Sequence, residues 1–305
     1  MENKNILRLL LASCMILWAS LGLLTRTIPL DSFELAFFRA FLSLPLLFVF
    51  FKLTKKNKET LPFKTIIYYH FTGGLIGIAW SLLFQGYKYT TLSNAVLIYN
   101  MCPVYVIILS PIFLKEKITS SRIITIAGCF LGLFLLIKGD LNLENSINQG
   151  MIWAFGAGFL YSIIVILNRS ANLKNNNANI ILITLIQLLG SSLILLPYQI
   201  INKSFTKMIN LSVSNLILLL ILALVHTALA YMIYFNTYKK LEAIEIVSFS
   251  YLEPLFTIFF GIIFFQEKLL VTQIIGGLFI LGFTLWGELF NLKHKEKRQL
   301  LKERT

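Results

Sequence analysis

The stretch Ala79–Lys117, AWSLLFQGYKYTTLSNAVLIYNMCPVYVIILSPIFLKEK, returns 151 residues later as Ala230–Lys268, AYMIYFNTYKKLEAIEIVSFSYLEPLFTIFFGIIFFQEK. The two copies align without a gap, and 11 of their 39 positions are identical. Shared apolar composition explains several of those matches. It does not explain Tyr87-Lys88 on Tyr238-Lys239, Pro103 on Pro254 and Glu116-Lys117 on Glu267-Lys268 all falling in one frame. A weaker match, at a shift of 143, sets Trp18 to Arg26 against Tyr161 to Arg169, so the duplication reaches across most of the chain.

Outward from the repeat, apolar runs cover Ile6–Leu24, Phe33–Phe51, Ile66–Tyr87, Ser93–Leu114 and Ser121–Ile137 in the first half. Gln149–Leu167, Asn179–Ile200, Val213–Phe235, Ile246–Phe265 and Val271–Phe290 follow in the second. Crossing a ~30 Å hydrocarbon core takes about 20 apolar residues, and these runs are too apolar all round to be one-faced surface helices. The fold class is therefore all-α integral membrane, with ten transmembrane helices. Five spans per half is an odd number, so the second half enters the membrane from the opposite side. The halves become two inverted five-helix repeats, an arrangement that recurs in secondary transporters with the solute site near the midplane. The expected division is a first repeat at 1–138, a connecting loop at 139–148, a second repeat at 149–290 and a basic cytoplasmic tail at 291–305.

Composition agrees. Of the 305 residues, 57% are hydrophobic and 13% charged, against about 25% charged in a soluble domain; no separate soluble domain is expected. The net charge of +13 lies in short runs between apolar segments and in the tail Lys293–Arg304, which suits loops against anionic lipid and not a nucleic-acid groove. With both termini placed inside, 20 Lys and Arg fall on the inner side and six on the outer, and Arg39 falls within a span. That bias predicts a multi-pass protein of the cell (inner) membrane with both ends cytoplasmic. Cys14, Cys102 and Cys129 all sit in apolar runs; an odd number there argues for packing residues and against a disulfide framework. Leu11-Ala12-Ser13-Cys14 resembles a lipoprotein cleavage box, but apolar sequence continues to Leu24 and no soluble chain follows.

Candidate solute-binding residues are polar or aromatic groups inside the spans. Glu253 is expected about two turns into the ninth helix, where an ionised carboxylate is costly without a partner. It could bind a cationic group or a proton, or hydrogen-bond backbone freed by Pro254. Arg39 suits a planar carboxylate, although pinning helices together or reaching headgroups is the favoured reading. Tyr99, Asn100, Ser250 and Tyr251 stand at matching places just before the two prolines. Trp18, Trp80, Tyr161 and Tyr231 could wall a cavity, as could Gln85, His226, Tyr234 and Asn236, though each alone is more often a packing residue. Glu116 and Glu267 end their helices and are expected to cap the next one with Thr119 or Thr272. Gly73/Gly77 and Gly128/Gly132, spaced by four, should let helices approach closely.

These features resemble the EamA family of the drug/metabolite transporter superfamily. The resemblance rests on Pro103 with Glu116-Lys117, on Tyr251-Leu252-Glu253-Pro254 with Glu267-Lys268, on Phe37-Phe38-Arg39-Ala40 in the second helix and on Trp18 in the first. It implies a ten-helix secondary transporter, often an exporter of amino acids or related metabolites, with importers of nucleotide-like compounds such as S-adenosylmethionine as the alternative. The seventh helix has Gln187 and no counterpart of Arg39, and Cys102 stands where the other half has Glu253, so the halves are not chemically equivalent. The expected partners are a small-molecule solute, the bilayer and, as a candidate coupling ion, the proton. No cofactor and no metal are expected. An enzyme is disfavoured, since the chain has no His-Glu-x-x-His pair or Gly-x-Ser-x-Gly elbow. A phosphate-binding Gly-x-x-x-x-Gly-Lys loop is missing as well. A channel is the remaining rival.

Overall fold

The computed structural model describes residues 4–54, 61–114, 119–141, 149–172, 180–238 and 240–303. Ten helical stretches in it are long and apolar enough to cross a membrane: Lys4–Thr27, Ser32–Leu53, Phe63–Tyr89, Leu92–Leu114 and Ser120–Lys138, then Gln149–Ser170, Ile180–Ile201, Val213–Tyr234, Glu245–Phe265 and Val271–Phe290. We number them spans 1 to 10. Helix is the form that closes every backbone hydrogen bond within the segment, which hydrocarbon demands. Phe48, Phe71, Ile112, Phe134, Ile194 and Leu278 point outward, exposed, and form the lipid-facing surface. The helix of span 10 runs on through the basic tail to Glu303.

Four spans are interrupted. Span 1 breaks at Ser20, between helices Lys4–Ala19 and Leu21–Thr27. Span 4 breaks at Asn100-Met101, between Leu92–Tyr99 and Cys102–Leu114. Span 9 breaks at Tyr251, between Ala243–Ser250 and Leu252–Phe265. This corrects the expected position of Glu253: it is the second residue of a new half-helix, not a residue two turns into a continuous one. In spans 4 and 9 the cause is proline. Pro103 and Pro254 lack the N–H that would close a helical bond on the carbonyls of Tyr99 and Ser250, four residues earlier. Span 8 carries a π-turn at Leu224–Leu229. There the Thr227 hydroxyl donates to Leu222 O at 3.0 Å and His226 Nδ1 lies 3.2 Å from Ile221 O, both five residues back.

The halves interlock. Span 3 packs on spans 6 and 7, span 2 on 7 and 8, span 1 on 8 and 9, span 4 on 6 and 9, and span 5 on 10. Glycine sets the closest approaches. A Cβ on Gly73 would enter the backbone of Gln187, and one on Gly77 would strike Ser191. Where spans 5 and 10 cross, a Cβ on Gly132 would lie 2.6 Å from Gly276 O, and one on Gly276 would lie 2.5 Å from Gly132 O. The three cysteines are free and buried.

At the end of the bundle away from the N-terminus, ion pairs tie loops from different halves. Asp31 and Glu34 cap span 2 reciprocally, each backbone N–H donating to the other's carboxylate at 2.9 Å. Glu34 Oε1 also accepts from Ser204 Oγ at 2.8 Å and Lys207 Nζ at 2.6 Å. The bond to Glu34 pushes the Lys207 ammonium above its ordinary range. Lys88 donates to Leu30 O on the same end.

Candidate functional site

Arg39 is the most buried cation of the described residues, at 3% exposure, and its surroundings show why the bundle tolerates it. Its Nε donates to Thr227 Oγ1 at 2.8 Å, so the π-turn of span 8 supplies its acceptor. The guanidinium lies 4.1 Å from the centre of the Trp80 ring and 5.8 Å from that of Phe84, and it is within electrostatic reach of Glu253 and Tyr231. This is a charge held by an aromatic floor, a hydroxyl and a distant carboxylate. On span 7, Gln187 donates to Thr72 Oγ1 at 3.0 Å and Asn168 Oδ1 at 2.9 Å.

An aromatic cluster adjoins it at the break of span 1. Trp18 packs against Tyr231 at 5.6 Å and Tyr234 at 5.3 Å between ring centres, and its Nε1 donates to His226 O at 3.0 Å. Ser20 Oγ lies 2.9 Å from His226 Nε2. Thr257 Oγ1 reaches Ala19 O at 3.3 Å, which joins span 1 to the second half of span 9 one turn beyond Glu253.

Beside this cluster is a cavity of about 420 Å³ between spans 4, 5, 6, 9 and 10. Tyr99, Asn100, Cys102 and Pro103 from the break of span 4 line it, with Tyr161 and Val165 from span 6. Val247 of span 9 and Glu288 of span 10 complete the wall, while Ser110, Arg122 and Arg169 lie toward the end of the bundle shared with the N-terminus. Tyr99 and Tyr161 meet at 5.7 Å. Their approach depends on Gly158, where a Cβ would lie 2.9 Å from Tyr99 O. Tyr161 and Cys102 thus share the cavity wall, and Tyr231, Tyr234 and Glu253 are within electrostatic range of Tyr161.

At the opposite end of the bundle Glu267 joins several spans. Its carboxylate accepts from Leu92 N at 2.6 Å, Ser93 N at 3.2 Å and Ser93 Oγ at 2.8 Å, and pairs with Arg26 Nη1 at 3.2 Å. Arg26 also donates to Tyr87 O and Thr90 O, each at 2.6 Å, and lies 4.4 Å from the Phe265 ring centre. Ends of spans 1, 3, 4 and 9 are thereby latched together. The expected capping of span 10 by Glu267 is corrected: Gln273 Oε1 accepts from Leu270 N at 2.9 Å instead, and Glu267 caps span 4, 175 residues away. Glu116 lies outside the described residues.

Of the residues singled out from sequence, Tyr99, Asn100 and Tyr161 stand on the cavity wall; Trp18 and Tyr231 form the adjoining cluster. Arg39 lies buried over Trp80, and the half-buried Glu253 is within its electrostatic range. Tyr251 sits at the break of span 9, and its side chain contacts Glu288 and Thr284. Ser250 bonds back to Val247 O at 2.7 Å, and Gln85 accepts from Ser32 Oγ at 3.0 Å. Glu288 escaped the sequence reading. Its signal was an acid inside the last apolar run, in Trp286-Gly287-Glu288.

The interrupted helices and a duplicated five-span plan point to one class of protein, and a family model settles the matter by matching twice, over residues 6–138 and 148–286. The chain belongs to the EamA-like transporter family. It is a multi-pass membrane protein of that family. Among similar proteins, an uncharacterized transporter of Bacillus subtilis (strain 168), YxxF, is 25% identical over 253 residues, covering 82% of this chain and 79% of that one. An uncharacterized transporter of Archaeoglobus fulgidus is 25% identical over 284 residues, covering 91% and 95%. A solved crystal structure superposes with a TM-score of 0.58 at 16% identity, covering 93% of this chain and 98% of that one; this likeness concerns the fold alone.

Proposed function

We propose that this EamA-family protein is a secondary transporter that exports a small metabolite, an amino acid or related compound, across the cell membrane by alternating access of its two repeats. The observation that carries the reading is a difference between the two ends. A 420 Å³ cavity extends from the break of span 4 toward the end that holds the N-terminus, while Glu267 and Arg26 latch the other end. The excess of Lys and Arg on the N-terminal side supports placing that end in the cytoplasm. The shape then corresponds to an inward-facing state, ready to load from the cell. Interrupted helices near the midplane supply unpaired backbone groups and side chains to a solute there.

Proton coupling through Glu253 belongs to the same reading, because a carboxylate at that depth can exchange its charge for a proton. Purified protein in liposomes tests the whole. A carrier gives saturable uptake with counterflow, and ohmic flux would replace the reading with a channel. Uptake by Glu253→Gln with an unaltered pH profile removes the proton from the scheme.

A further inference from the structure

We infer that Glu288 is the residue through which the cavity recognises a positively charged nitrogen on its solute, so that the carried compound is an amine. This rests on the transporter reading above and goes beyond it by naming the chemistry of the cargo and the group that reads it. Glu34 has Lys207 at 2.6 Å, Glu245 has Arg8 at 2.5 Å, Glu267 has Arg26 at 3.2 Å and Glu242 has Lys4 at 3.7 Å. Glu253 has Arg39 as its electrostatic neighbour. Glu288 has no cation paired with it among the described residues; its neighbours include the Tyr251 hydroxyl and the Cys102 thiol, both uncharged.

Glu288 is half-buried, in the apolar part of span 10, on the wall of the cavity. A carboxylate in such a place is costly to keep ionised without a counter-charge. An arriving ammonium supplies one and gains a charge-assisted hydrogen bond. Arg122 and Arg169 line the same wall toward the N-terminal end, and the rest of it suits the remainder of such a molecule. Tyr99 and Tyr161 offer ring faces that attract cations, while Val106, Ile107, Val165 and Val247 accept apolar carbon. A cavity of 420 Å³ holds a solute about the size of an aromatic amine. Tyr251 bonds the carboxylate from the break of span 9, so the acid is oriented by a residue between the two half-helices.

The test uses the full-length protein in detergent and in liposomes, with three radiolabelled probes of similar size: phenethylamine, phenylalanine and phenylpropionate. The first two carry the nitrogen and the third lacks it. The expected result is saturable binding of the two nitrogen-bearing probes, with phenylpropionate bound at least tenfold more weakly. Glu288→Gln should weaken both amines tenfold or more, and Glu288→Asp should restore part of the loss. Both variants are to elute as the parent does on size exclusion. Equal binding of phenylpropionate, indifference to Glu288→Gln, or no binding of any probe overturns the inference. Counterflow of phenylpropionate through Glu288→Gln would overturn it while leaving the protein a carrier, which keeps this failure separate from failure of the transport reading.

Discussion

Arg39 lies over the Trp80 ring at 4.1 Å while its Nε bonds Thr227, so one guanidinium from the first repeat is fixed by span 3 on one side and the π-turn of span 8 on the other. Lysine keeps the charge but cannot stack flat and donate sideways at once. Arg39→Lys should lose about 2 kcal/mol of stability, the scale of a desolvated cation–ring contact or a charged hydrogen bond. A thermal-unfolding curve of the purified variant checks this; an unchanged midpoint would show that the stacking contributes nothing.

Glu267 joins four spans at the end opposite the N-terminus. Glu267→Gln keeps an acceptor for Leu92 N but loses the charge that holds Arg26. The latch should loosen and admit a membrane-impermeant maleimide from that side. With the three native cysteines replaced and Tyr99→Cys as reporter, labelling should speed up about fivefold or more, a shift of ~1 kcal/mol in the opening equilibrium. Equal labelling rates in the two backgrounds would rule out Glu267 as a closing element.

Gly276→Ala should destabilise the crossing of spans 5 and 10 by roughly 1–3 kcal/mol, because the added methyl meets a carbonyl and the backbones must part. Gly282 provides the control six residues on, with no atom within 4 Å of a would-be Cβ. Gly282→Ala should be neutral or slightly stabilising, as alanine is in a helix interior where its methyl meets no neighbour. Melting temperatures of the two variants side by side decide the point.

Tyr161 faces both Tyr99 and the cavity. Tyr161→Phe retains the ring and should transport with nearly the parent KM, whereas Tyr161→Ala should raise KM tenfold or more by removing apolar wall. Similar losses in both variants would mean that the hydroxyl, not the ring, carries the effect.

The number of spans and their duplication were legible because hydrocarbon imposes a length and an all-round apolarity that few other environments require. The ends of the runs agree with the helices within a few residues; Val271–Phe290 agrees at both ends. The interruptions were less legible. Pro103 and Pro254 were visible, but a proline near a helix start and a proline that divides a helix look alike in one dimension. Partnerships across the repeats were invisible for a different reason. Glu267 beside Thr272 reads as a local cap, and only the folded chain brings Leu92 and Arg26 within its reach. Glu288 was passed over because an acid near the end of the last apolar run resembles a residue at the membrane surface, until the cavity is seen to extend to it.

At the crossing of spans 5 and 10, Cys129 Sγ lies 3.7 Å from Ile280 O, 151 residues on, which is the register of the duplication, so the pseudo-two-fold axis passes through this crossing. A contact that the symmetry maps onto itself survives unaltered if the repeats trade shapes. This crossing would then be the fulcrum of the cycle. Spin labels flanking it should report one distance in every condition, while a pair spanning the cavity mouth should report two.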